Sequence, residues 1–295
     1  MKPFSYKKTV SQTVFAYFTA ILITMIFQLF TKSFFQKLDI SPWLFTTLPL
    51  YLLGFPIAYL ILRKVPDSEQ TPEKTNMPIK QFIKLFLIGY TFMYIGNLIS
   101  MVISSLIASF TGKVLLNPIA EAVASANIFT TFLYTVILAP LGEEYFFRFL
   151  TYKKLSKYGD KIYILLSSLL FAVFHLNVFQ IIYAFLMGTI LGYMYAKTRN
   201  MKYNVSMHMI VNFIGAIVAN YVQYSEIATT IFGIIVIVVV ILGFILLIKN
   251  FKKAEYSPAS DKYSDKPMKD TFLNIGMISF LILFIIDNIL SIISA

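Results

Sequence analysis

Apolar residues fall in nine blocks separated by charged or turn-forming stretches: about 11–31, 43–62, 82–111, 126–147, 162–178, 179–196, 203–224, 227–248 and 272–293. A bilayer core asks for about 20 helical residues per crossing, so most blocks predict membrane-spanning helices. Blocks 162–178 and 179–196 are short for that task. Lys2, Lys7 and Lys8 precede the first block, but its apolar run is too long for a cleavable signal and no A-x-A-like site follows. It reads as a retained first span. Residues 63–80, with three prolines, and the similarly polar 250–271 read as linkers, the second setting the last block apart as an appendage. Gly188, Gly192 and Ala196 recur at four-residue spacing on one face, a pattern that lets helices approach closely.

Alternating the blocks from a cytoplasmic N-terminus puts 22 of the 25 Lys and Arg residues on one side, leaving Lys32, Lys37 and Lys113 outside. Such a split is the positive-inside signal, and it explains the net charge of +11 as orientation rather than as a nucleic-acid footprint. Composition agrees: 58% of residues are hydrophobic and 13% charged, about half the charge of a soluble chain. The absence of cysteine excludes disulfides, thiolate zinc sites and cysteine nucleophiles. The predicted fold is all-α, a polytopic transmembrane helical bundle of eight to nine spans in a cell membrane, with the lipid bilayer as its surroundings.

An ionisable group in hydrocarbon costs several kcal/mol, so each one there calls for a reason. Glu143 and Glu144 form the one adjacent acid pair within the apolar blocks, and both histidines of the chain, His175 and His208, lie in apolar surroundings. Asn212 follows His208 by one helical turn, and Arg148 follows Glu144 by the same step, which permits an ion pair that leaves Glu143 free. One Glu and two His make the ligand set of an open catalytic zinc site. The same groups also serve without metal, as a general base, its partner, and donors to an oxyanion. HExxH is absent, as is any GxGxxG phosphate loop, so soluble-type zincins and nucleotide binding are not indicated.

At these residues the sequence resembles the CPBP family of intramembrane proteases, which includes CAAX prenyl endopeptidases and bacteriocin-processing or immunity proteins. The EExxxR motif is matched by Glu143, Glu144 and Arg148, the FxxxH motif by Phe171 and His175, and the HxxxN motif by His208 and Asn212. The resemblance covers about residues 126–224. It implies that Glu143 activates water beside His175. His208 and Asn212 then hold the developing negative charge of the scissile carbonyl. Alternatively His208 joins Glu143 and His175 as ligand of a divalent metal, zinc foremost, with no organic cofactor. Glu144, Arg148 and Phe171 are supporting residues, Arg148 orienting the acid pair.

The chain then divides into N-terminal helices (1–125), a catalytic core (126–224), an eighth span (225–249), a cytoplasmic linker (250–271) and a C-terminal span (272–295). The implied partner is a membrane-associated peptide or protein, cut near the cytoplasmic boundary, and no nucleic acid. Abundant Lys, Ile and Phe fit a low-GC bacterium and its plasma membrane, with peptide pheromones, bacteriocins or membrane proteins as substrates. Two other readings compete: a non-catalytic immunity or scaffold protein with the same fold, and a transporter using the acids and histidines as a relay. No internal repeat supports the transporter. One tension concerns depth. Glu143 and His208 lie near their cytoplasmic ends, whereas His175 is about 21 Å along its helix from Lys161. They meet if Lys161 projects well into the cytosol or if the short blocks form a hairpin, which their shortness favours.

Overall fold

The computed structural model describes residues 5–38, 41–68, 73–113, 117–259 and 263–294; Lys2 and Lys262 of the charge split lie outside them. Every regular element among these residues is helical. We number them α1 (Tyr6–Lys37), α2 (Trp43–Leu62), α3 (Ile79–Thr111), α4 (Pro118–Ser125), α5 (128–155), α6 (Asp160–Phe174), α7 (Ile181–Thr198), α8 (Met201–Val222), α9 (Glu226–Asn250), α10 (Pro267–Phe272) and α11 (Ile275–Ser294). Starts and stops follow local chemistry. Asn117, Asn127, Asn200 and Ser225 each accept a backbone N–H of the first turn of α4, α5, α8 and α9. Gly159, with φ 87°, lets the chain reverse between α5 and α6.

Each of the nine apolar blocks becomes one long helix, but six of them, α1, α2, α3, α8, α9 and α11, are long and apolar enough to cross a membrane. That is fewer than the eight to nine expected. Helix α6, at 15 residues, is about 22 Å long against a hydrocarbon core of about 30 Å. Helix α5 carries Glu143, Glu144, Arg148, Lys153 and Lys154, which lower its apolarity. The chain is a multi-pass membrane protein whose least membrane-like helices sit inside the bundle.

Helices α6 and α7 form the central antiparallel hairpin. Gly188 and Gly192 of α7 lie against Ser168 and Ile164 of α6, where an added Cβ at Gly188 would come to 3.1 Å from the Ser168 backbone. One apolar core joins α6 to α1, α2, α5 and α11 through Tyr17, Phe55, Phe147, Leu170 and Phe280. A second joins α7 to α3 and α8 through Ile88, Met187, Met194 and Met207. Helix α9 packs on α3 and buries little beyond Gly243, its exposed isoleucines and valines forming a surface suited to lipid.

The basic segments gather at one end. Tyr6 at the start of α1 bonds Thr271, and Tyr158 donates to Thr9. Ser68 N–H donates to Lys153 O, Thr75 N–H to Thr198 O, and Asp160 N–H to Ser257 O. Both linkers therefore rest on the α5–α6 and α7–α8 turns. Asp67 pairs with Lys153 at 3.0 Å and with Lys154, whose buried Nζ also donates to Val65 O at 2.8 Å. Partial burial pushes the Asp67 carboxyl up, but the two ammonium groups outweigh this and hold it below its ordinary value.

Helix α11 is no appendage. Met277 and Phe280 are buried in the first core, and Gly276 N–H donates to Ser11 Oγ at 3.1 Å. A Cβ on Gly276 would stand 2.0 Å from Ser11 O, so Gly276→Val should separate α11 from α1 and destabilise the protein by about 1–3 kcal/mol. Thermal unfolding in detergent would show a lowered midpoint; an unchanged one would mean that α11 does not depend on this contact.

Candidate active site

Helix α5 departs twice from α-helical winding, with π-helical turns at Phe132–Leu138 and Glu144–Leu150; α8 does so at Phe213–Val218. Such turns are rare and cluster at functional sites. Side chains from four other helices donate to carbonyls in or beside the α5 turns. Asn212 Nδ2 donates to Thr135 O at 2.8 Å, Tyr51 to Leu138 O, and Tyr17 to Phe146 O at 2.6 Å. Ser167 donates to Phe147 O at 2.8 Å, and Tyr163 to Arg148 O at 3.4 Å.

The second π turn delivers Glu144 and Arg148 into the interior, both with wholly buried side chains. Glu144 gathers three partners. Its Oε2 lies 3.2 Å from Arg148 Nε and accepts from Asn204 Nδ2 at 3.2 Å, while Oε1 accepts from His208 Nδ1 at 2.9 Å. Arg148 Nε and Nη2 have no aligned hydrogen-bond acceptor among the described residues, so the Glu144–Arg148 contact is Coulombic more than directional. Arg148 Nη1 donates to Ser167 Oγ at 3.4 Å, and its guanidinium lies over the Phe171 ring at 4.6 Å.

His208 bridges the acid pair. With Nδ1 on Glu144, its Nε2 faces Glu143 Oε2 at 3.7 Å. Glu143 keeps 17% of its side chain exposed and is the accessible half of the pair. His175, the residue that ends α6, bonds Phe171 O through Nδ1 at 2.7 Å, which assigns the proton to Nδ1 and leaves Nε2 free. Both imidazoles lie edge-on to the Phe171 ring, at centroid distances of 4.9 and 5.6 Å. Glu143 is within electrostatic reach of His175 and of the Tyr51 and Tyr183 phenols. Glu143, Glu144, Arg148, Phe171, His175 and His208 thus share one locality. Asn212 stands one turn beyond His208, with one amide hydrogen committed to Thr135 O.

The depth tension resolves in an unexpected way. The fourth block was expected to end at 147, but α5 continues to Leu155 with most of that extension buried, so Glu143 lies about 18 Å inside its helix end. Arg148 and Ser167 are each seven to eight residues from the α5–α6 turn, which makes them level in an antiparallel pair. Helices α6 and α7 do form the expected hairpin, and the extension of α5 brings Glu143 toward the depth of His175.

Asn204 is the main residue that sequence reasoning missed. It lies one turn before His208 on the face that carries Asn212, in an otherwise apolar block, so the four-residue spacing held the signal. Ser167, Tyr17, Tyr51 and Tyr163 carried none, because the carbonyls they donate to leave no mark in the sequence. Among the described residues no three His, Cys, Asp or Glu side chains are grouped as a metal-holding set. The surface hollows beside Leu247 and Phe251, and between Thr131, Ile217 and Tyr221, contain none of the site residues.

The fold and site define a multi-pass helical membrane protein with a buried carboxylate–imidazole centre. Residues 125–214 match the family model described as type II CAAX prenyl endopeptidase Rce1-like, a CPBP-family model. That match contains every site residue named from the motifs, and the resemblance is borne out over this segment. No curated protein and no solved structure matched the chain.

Removing one member of a buried ion pair leaves an uncompensated charge, at a cost of about 3–5 kcal/mol. Arg148→Gln should therefore lower the unfolding midpoint sharply, and adding Glu144→Gln should recover part of the loss. A double variant no better than Arg148→Gln alone would show that the two charges are not coupled.

Proposed function

We propose that the protein is an intramembrane endopeptidase that hydrolyses a membrane-associated peptide or protein near the cytoplasmic boundary. The observation that carries this reading is His208 held by Glu144 through Nδ1 while its Nε2 faces the accessible Glu143, inside the segment that matches an endopeptidase family. In the proposed reaction, water is held between Glu143 and the free Nε2 of His175. Its oxygen attacks the scissile carbonyl carbon as Glu143 takes the proton. In its doubly protonated form His208, held by Glu144, attracts the Glu143 carboxylate across 3.7 Å and keeps it aimed, and the second amide hydrogen of Asn212 meets the developing oxyanion. On collapse of the tetrahedral intermediate the C–N bond breaks and Glu143 returns its proton to the leaving nitrogen.

A divalent metal, zinc foremost, is the second form of this reading, prompted by the Glu and two His donors. Glu143, His175 and His208 would hold it, and it would polarise the carbonyl and acidify bound water. Those three side chains do not stand together as a ligand set, so no step is assigned to the metal.

The same reading takes residues 126–224 as the catalytic core, with the other helices as its supports. It adopts eight to nine crossings of a bacterial plasma membrane and a cytoplasmic N-terminus. Support for the orientation comes from the charge split and from the gathering of both linkers, the α5–α6 turn and the start of α1 at one end. The cysteine-free chain makes this easy to test. A cysteine at Ser125 should react with a membrane-impermeant maleimide on intact cells, and one at Ser257 only after lysis. The reverse pattern would invert the topology.

Glu143→Gln keeps the size of the side chain and removes the base. Comparison of membrane-proteome N- and C-termini from cells with wild type and Glu143→Gln at equal expression should reveal fragments made by wild type alone. A zinc chelator should leave those fragments unchanged; their loss, reversed by zinc, would install the metal on Glu143, His175 and His208. No fragments, with any phenotype of wild type intact in the variant, would favour the non-catalytic immunity or scaffold reading.

A further inference from the structure

His175 closes α6, and the residue after it, Leu176, has φ 48°, a left-handed conformation usually left to glycine at a helix end. Only two non-glycine residues among those described have positive φ, the other being Arg199 at the end of α7. A β-carbon-bearing residue stays in this region when its surroundings hold it there. Locally, Leu176 N–H donates to Val173 O at 3.1 Å, an ordinary helix-end bond that any residue can make. What singles out this turn lies 110 residues further along the chain. Asn288 of α11 accepts Val178 N–H at its Oδ1 (3.0 Å) and donates from Nδ2 to Leu176 O (3.3 Å). One side-chain amide thus brackets both polar ends of the segment that follows His175.

The bracket is itself fixed. Asn288 Nδ2 also donates to Phe284 O of its own helix at 2.8 Å, and α11 is seated on α1 by Phe280, Met277 and Gly276. Within apolar surroundings the backbone groups of residues 176 and 178 have strong need of partners, so the amide is not easily replaced. The imidazole, for its part, makes one hydrogen bond among the described residues, through Nδ1 on Phe171 O, besides its edge contact with the Phe171 ring. Its direction therefore depends on the backbone at 175 and 176.

We infer that Asn288 is a positioning residue for His175: it holds Leu176 in its left-handed turn, and this aims the free Nε2 of His175 toward Glu143. The last helix, outside the family-matched segment, is then part of the catalytic apparatus. This inference takes the chemical role of His175 from the proposed function, but the placement of the imidazole can be tested apart from it.

The chain has two histidines, so diethylpyrocarbonate labelling of the purified protein in detergent, followed by mass spectrometry, reads each imidazole separately. Asn288→Leu preserves bulk and removes the amide. The His175 labelling rate should change several-fold while that of His208 stays at the wild-type value. Leu176→Gly occupies the left-handed region without being held there, so Asn288→Leu with Leu176→Gly should return the His175 rate toward wild type. A part played only in overall packing would disturb both histidines and would not be rescued at residue 176. Equal labelling of His175 in wild type and Asn288→Leu overturns the inference, as does a parallel change at both histidines. Where wild-type fragments are seen, Asn288→Leu should lower kcat with KM little changed. A protein that cleaves nothing would sink the protease reading, while the labelling result would still decide whether Asn288 sets the placement of His175.

Discussion

A carboxylate shut off from solvent has to be paired, and Glu144 is shut off completely. Its four-residue step to Arg148 supplies the opposite charge from its own helix, while Asn204 and His208 complete its shell from α8. Arg148 in turn reaches Ser167 and the Phe171 ring of α6. Three helices are thereby keyed to one acid. Sliding any of them by a turn would leave a buried charge or amide without a partner, which costs far more than a displaced apolar contact. The relative depth of Glu143, His175 and His208 follows from that keying.

The π turns extend the same logic to the backbone. A helix that changes its winding shifts its carbonyls out of the regular ladder, and in a membrane there is little water to take them up. Here Tyr17, Tyr51, Asn212, Ser167 and Tyr163 direct side-chain donors at carbonyls in or next to those turns. The distortion that turns Glu144 and Arg148 inward is thus stabilised by α1, α2, α6 and α8.

The helices were legible because apolar blocks of membrane length have few alternatives, and the site was legible because ionisable groups are so scarce within them. Glu143, Glu144, His175 and His208 stood out by cost alone. The end of α5 did not. Arg148, Lys153 and Lys154 look like the edge of a membrane, yet Arg148 is neutralised by Glu144, and Lys154 by Asp67 with help from Val65 O. The Glu144–Arg148 pair was legible from its four-residue spacing, but a charge satisfied by a partner distant in sequence, as Lys154 is by Asp67, is indistinguishable from a solvated one until the fold is known. The same holds for α11, whose polar Asn288 gives no hint that its partners lie beside His175.

Tyr17, Tyr51 and Asn288 all lie outside residues 125–214, yet each meets backbone inside that segment. The matched stretch is therefore not a module in the sense of a cassette that can be lifted out and grafted onto other helices. Two hydroxyls and one amide are among the bonds that tie it to its own flanks, and a chimera that keeps the motifs but draws its first, second or last helix from a relative would inherit the chemistry without the frame. Divergence of the flanking helices should accordingly run freely over their lipid faces and stall at those three positions, which makes them the places to look when the outer helices of two such proteins must be aligned.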